Sequence, residues 1–138
     1  MPQPTCAERI DEQLAGRLQG LEDLYTVIDA DDQEDIPADV LRRLDLGDGD
    51  LRELAEDRIR ELPLDVELSE TTVNGRRSSR TIKVLLSTGG PADWFEGAVE
   101  DDGNVSNMAY HFQDWHDHET LWVLHPNVRR FLQEFILE

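Results

Sequence analysis

The hydrophobic period of this chain changes at Pro63, and that change limits the folds open to it. Before Pro63 apolar residues recur every three or four positions; after it they alternate with polar ones until a helical spacing returns near Asn127. Helices followed by a run of strands predict an α+β fold, because a parallel α/β sheet would need the two kinds of element interleaved.

Ile10, Leu14, Leu18, Leu21, Tyr25 and Ile28 predict an amphipathic helix over residues 5–28. Thr5 with Glu8 matches a capping box. Gly16 and Gly20 lie inside this helix, each costing up to ~1 kcal/mol against alanine. An acidic connector covers residues 29–35. Pro37 suits the first position of a short second helix carrying Val40, Leu41 and Leu44. After Gly47 and Gly49, Asp50 suits the cap of a third helix, with Leu51, Leu54, Ile59 and Leu62 on its buried side.

Leu64, Val66 and Leu68 predict a half-buried first strand. Asn74-Gly75 opens a hairpin whose loop is expected to run on through Arg80, giving a second strand at 81–88. Gly89-Gly90-Pro91 turns the chain into a third strand at 94–100. Asp102-Gly103 turns it into a fourth at 105–115, with Met108, Tyr110, Phe112 and Asp114 on one face. Trp94 and Trp115 are expected in the core, and Trp122 in an irregular stretch that covers the sheet or marks a contact surface. Asn127 suits the cap of a last helix with Val128, Phe131, Leu132, Phe135 and Ile136 inward. The expectation is one α+β domain over 1–138: helices in 1–63, then in 64–138 a four-stranded antiparallel meander with the C-terminal helix packed on it.

Charge separates the function classes. Asp and Glu number 31 against 13 basic side chains, and Lys83 is the one lysine, for a formal charge of −18. Such a balance excludes attraction to nucleic-acid phosphates or anionic membranes and favours a basic partner, a salty solvent or imitation of a polyanion. Residues 29–57 hold 12 acids against three arginines. Wound as helix, this spaces charges by roughly 3.6 Å of axis, near the about 3.4 Å of a DNA strand. Halophily would instead spread carboxylates over every face. The single cysteine, Cys6, excludes an intramolecular disulfide and fits a reducing interior. No apolar run approaches a membrane span, and residues 1–6 lack the pattern of a signal peptide, so a cytoplasmic protein is expected.

Imidazoles and carboxylates are densest at 111–119. On one strand His116 and His118 would face the same side, and Asp114 with His111 would complete a candidate metal set; no HExxH spacing accompanies them. Asp29-Ala-Asp31 opens like a calcium loop, but Glu34 replaces the required glycine and Val40 the closing glutamate. No P-loop, dinucleotide or nucleophile-elbow motif occurs, and Ser87 with His111 has only its presence to recommend it as a nucleophile pair. Arg76, Arg77 and Arg80 form a basic knot; a solvated hairpin tip, an anionic partner and the acidic helices of a second copy in a homodimer all remain open readings.

The segment Leu86-Ser87-Thr88-Gly89-Gly90-Pro91-Ala92-Asp93-Trp94-Phe95, then Asp102-Gly103, then Tyr110-His111-Phe112-Gln113-Asp114-Trp115-His116-Asp117, resembles small acidic proteins carried by phages, plasmids and integrated elements. The likeness spans about residues 82–138 and shares an amphipathic N-terminal helix; here the helical half is longer and more acidic. The resemblance implies a setting without an established activity. By analogy with acidic mobile-element proteins that occupy nucleic-acid-binding grooves, the leading expectation is a non-enzymatic inhibitor of a basic host nucleic-acid-binding defence protein, of the anti-CRISPR or anti-restriction type. It would act without cofactor, catalytic residue, direct nucleic-acid contact or membrane. Asp29, Asp31, Asp32, Glu34, Asp35, Asp45, Asp48, Asp50, Glu53, Glu56 and Asp57 would meet the partner. The alternatives are an accessory protein of a halophile and a small metal-dependent hydrolase using His111, Asp114, His116 and His118.

Overall fold

Thr5 starts the first helix by accepting a hydrogen bond from the Glu8 N–H at 3.2 Å, and α1 then runs Cys6–Asp29. The computed structural model describes residues 4–136, with the backbone alone at 77 and 78. Two further helices follow, α2 Ala38–Leu44 and α3 Leu51–Glu61. Strands β1 Asp65–Val73, β2 Arg76–Ser87, β3 Ala92–Val99, β4 Val105–Asp114 and β5 Asp117–Trp122 form an antiparallel meander, and α4 Pro126–Glu134 ends the fold. The class is α+β as expected.

The expected four strands become five. The missed strand, β5, contains the residues read as loop and irregular stretch. Trp115 and His116 turn the chain between Asp114 and Asp117, which pair, and β5 then lies along β4. A polar pattern of His, Glu and Thr hid this strand, because its outer face and its free edge are solvated.

Pro37 is the cap residue of α2, not its first position, and His125, not Asn127, caps α4 by accepting from the Asn127 N–H at 3.1 Å. Asp50 caps α3 as expected, accepting from the Glu53 N–H. The first hairpin turn is tighter than expected. Asn74 and Gly75 both take positive φ (53° and 78°), the backbone of a two-residue turn, so Val73 pairs directly with Arg76. The three arginines therefore stand on β2, and the Arg77 side chain lies outside the described residues.

The helices lie on one face of the sheet. Ile82, Val84, Phe95, Met108, Tyr110 and Phe112 point inward and pack with Ile10, Leu21 and Leu24 of α1 and with Val128, Phe131 and Leu132 of α4. Burying a side chain of this size contributes about 1.5–3 kcal/mol. Outside α1, α2 and α3 add Val40, Leu44, Ala55 and Ile59. β1 extends past this cover. Leu68 stays 50% exposed and Leu64 more so, and the expected half-buried strand is largely solvated. Gly97 is a packing requirement: an added Cβ would stand 2.5 Å from Val105 Cγ1.

Polar ties fix α1 across the layers. The Cys6 N–H donates to Asp117 Oδ2 at 2.7 Å, so β5 serves the helix start. Arg9 meets Asp114 at 2.6 Å, and the Tyr25 hydroxyl donates to Glu134 of α4.

Candidate functional site

Three polar regions interrupt or border the core. The first is buried. Asp93 of β3 is 2% exposed and turns inward, where Arg17 of α1 donates to both carboxylate oxygens at 2.7 and 3.0 Å. Tyr110 donates to it at 2.6 Å, and Ser87 completes the set. Burial pushes the Asp93 carboxyl up, but Arg17, Ser87 and Tyr110 outweigh it and hold it below the ordinary value. Burial, reinforced by Asp93, pushes the Tyr110 phenol up. A bulge makes this possible, since Leu85 pairs with Trp94 but Ser87 with Asp93. Ser87 is thereby committed to Asp93 and does not pair with His111, which lies on the other face. The sequence signal for this cluster was a carboxylate inside an otherwise apolar run, Asp93-Trp94-Phe95.

The second region is the uncovered face of the sheet. Trp94, expected in the core, is only 8% exposed but belongs to this outer face. His111 stacks on it (centroids 5.0 Å apart, planes 6° apart), and Lys83 Nζ sits 4.5 Å from its ring centre. The Trp94 indole N–H donates to Glu96 at 3.0 Å, and Glu96 lies 3.4 Å from His111 Nε2. His111 Nδ1 is 2.9 Å from His118 Nε2 and 3.0 Å from the Thr120 hydroxyl. Burial is the main cause holding His111 below the ordinary imidazole value; the charges of His118 and Lys83 add to it against the pull of Glu96.

The expected metal set is not assembled. Asp114 faces inward to Arg9, and His116 sits in the exposed turn. His116 and His118 do not share one strand face, because the turn separates them. His111 and His118 meet as cross-strand neighbours, their nitrogens facing each other as in an N–H···N hydrogen bond. Among the described residues no three His, Cys, Asp or Glu side chains converge on one point. Trp115, also expected in the core, is 82% exposed with φ 57°, and Trp122 on β5 is 76% exposed. A shallow groove beside Trp122 runs over Thr81, Ala98 and Ala109.

The third region is acidic. Of the eleven carboxylates expected to meet a partner, three are held in ion pairs, and Asp32 and Asp50 accept backbone N–H bonds from Glu34 and Glu53. Asp29 holds Arg130 through two bonds of 2.7 and 2.9 Å, and Glu56 and Asp57 share Arg52 and Arg60. The other eight have no ion pair among the described residues. Asp31, Asp32, Glu34 and Asp35 precede α2; Asp45, Asp48, Asp50 and Glu53 follow it. The free charges are thus two clusters at the ends of a seven-residue helix, about 10 Å apart along its axis. They do not form the continuous helical array expected, because α3 interleaves its acids with arginines. In the sheet half Asp93, Asp114, Asp117, Glu96, Glu100 and Glu134 accept hydrogen bonds, as do Asp102 and Glu119 from backbone N–H groups.

Fold and surface together define an acidic α+β protein whose helical layer carries concentrated free carboxylates and whose sheet is bare on one side. No family model, curated protein or solved structure matches the chain. No helix among the described residues is long and apolar enough to cross a membrane.

Proposed function

We propose that the protein is a non-enzymatic, cytoplasmic inhibitor that docks its helical layer on a basic nucleic-acid-binding protein of the host. The observation that carries this reading is the pair of unpaired carboxylate clusters at the two ends of α2. Eight exposed charges without arginine partners repel one another and destabilise the free protein, and a cationic groove would relieve that repulsion. Such a face speeds encounter with a basic partner and competes with phosphates for its arginines. The resemblance of residues 82–138 to mobile-element proteins suggests the setting, and analogy with other acidic proteins of such elements suggests a restriction or CRISPR component as the partner.

The test is competition. The protein should displace duplex DNA from an arginine-lined restriction or CRISPR effector, with an effect that weakens as salt rises. A variant with Asp31, Asp35, Asp45 and Asp48 changed to Asn, and Glu34 and Glu53 to Gln, should lose at least tenfold in that competition. It spares Asp32 and Asp50, whose side chains cap backbone N–H groups. Equal competition by the variant, with an unchanged salt slope, overturns the proposal.

A further inference from the structure

Between α1, α3 and the sheet lies a cavity of about 160 Å³, open at one side. Leu21, Leu24, Leu62, Leu86, Phe95 and Phe131 wall it. A dry apolar cavity of about 150 Å³ is enough to hold benzene.

The two glycines of α1 make the opening. Gly16 and Gly20, one turn apart, both line the cavity, and a Cβ added to either would meet nothing within 4 Å. A glycine kept for close packing behaves otherwise, as Gly97 does against Val105. Two residues that weaken a helix therefore hold space open rather than admit a neighbour.

Two arginines also line this cavity, Arg17 of α1 and Arg58 of α3. Arg17 gives two bonds to Asp93, one each from Nε and Nη2, leaving both hydrogens of Nη1. Arg58 of α3 gives one bond, from Nη1 to the Leu44 carbonyl at 2.8 Å, and no carboxylate pairs with it among the described residues. Its remaining N–H groups suit a planar anion.

We infer that this cavity binds a small aromatic carboxylate of the size of benzoate, its ring among Leu24, Phe95 and Phe131 and its carboxylate on Arg58. An occupant would join α1 to α3 and fix the layer that carries the acidic clusters. The inference stands on the cavity alone and does not need the docking proposal.

The experiment is calorimetric and NMR titration of the whole protein with benzoate, toluene and benzylamine. Benzoate should bind, toluene at least tenfold more weakly, and benzylamine not at all. Arg58→Met, which keeps the apolar stem, should weaken benzoate at least tenfold and leave toluene unchanged. Gly20→Leu should fill the space, abolish binding of both and raise Tm; Gly20→Ala, a change the helix readily accepts, should raise Tm and shift the benzoate-perturbed resonances. Absence of benzoate binding, equal binding of toluene, or undiminished binding by Arg58→Met overturns the inference.

Discussion

Replacing Asp93 with alanine should be among the most damaging single changes in this protein. Its carboxylate collects Arg17, Tyr110 and Ser87 from three separate elements. Removing one partner of a buried ion pair costs about 3–5 kcal/mol. The Arg17 side chain is 34% exposed, so water recovers part of its charge and the lower end applies. The buried Tyr110 hydroxyl then lacks its acceptor, at about 1–3 kcal/mol. These losses overlap, and about 4 kcal/mol is expected for Asp93→Ala, a fall in Tm of roughly 12–16 °C. Asp93→Asn keeps one acceptor oxygen and should cost about half as much. The pH dependence follows from the depressed Asp93 value. A carboxyl lowered by folding stabilises above its unfolded value of about 3.9 and loses that contribution as pH falls through the folded one. The stability gap between wild type and Asp93→Asn, read from urea unfolding, should therefore be flat from pH 8 to pH 5 and close only below about pH 4. A cost under about 1 kcal/mol for Asp93→Ala, or a gap already closing between pH 7 and pH 5, refutes the reasoning.

Trp115→Gly should leave the fold intact and raise stability by about 1 kcal/mol in thermal unfolding, because Trp115 is exposed and holds a positive φ that glycine adopts freely. Gly97→Ala should cost at least about 2 kcal/mol in the same assay, since Val105 blocks its Cβ. In His118→Ala the like-charge repulsion on His111 disappears, so the His111 value, followed by NMR, should rise while burial keeps it below the ordinary imidazole range. Since folding lowers the His111 value, its neutral form favours the native state; that contribution is complete above the unfolded value of about 6.5 and declines as pH falls below it.

The helical half was legible because its signals are local. Thr5 and Asp50 cap as their spacing with Glu8 and Glu53 requires, and the period of Ile10 to Ile28 fixes the buried face of α1. The sheet was legible where its inner face alternates, as at Met108, Tyr110 and Phe112, and illegible where both neighbours are solvent. β5 carries Asp117, His118, Glu119 and Thr120, which read as loop until β4 is present to pair with them. The tryptophans misled because ring size implies burial only when a layer exists to bury the ring, and this sheet is covered on one side. Trp94 finds shelter from His111 and Lys83 instead, and Trp115 finds none. Arg17 with Asp93, 76 residues apart, and Arg58 in the lining of the cavity depend on tertiary placement that no local spacing encodes.

Acidity for docking and acidity for life in brine both predict a fold that is steadier in salt, because the screening length shortens from about 30 Å at 0.01 M to about 3 Å at 1 M. They differ in which carboxylates carry the effect. Two unit charges about 5 Å apart repel by about 0.8 kcal/mol even in bulk water. Four acids without an ion pair within five residues before α2, and four within nine after it, concentrate such pairs, whereas Asp93 and Asp114 are already engaged with Arg17 and Arg9. The sixfold Asn and Gln variant removes six of 31 acids, about a fifth. If the charge is spread evenly, about a fifth of the salt dependence of unfolding should go with them. If it is concentrated at the ends of α2, half or more should go. Urea unfolding of both proteins from 0.01 to 1 M KCl separates the two, and a variant that retains four-fifths of the salt effect leaves no reason to assign these carboxylates to a partner.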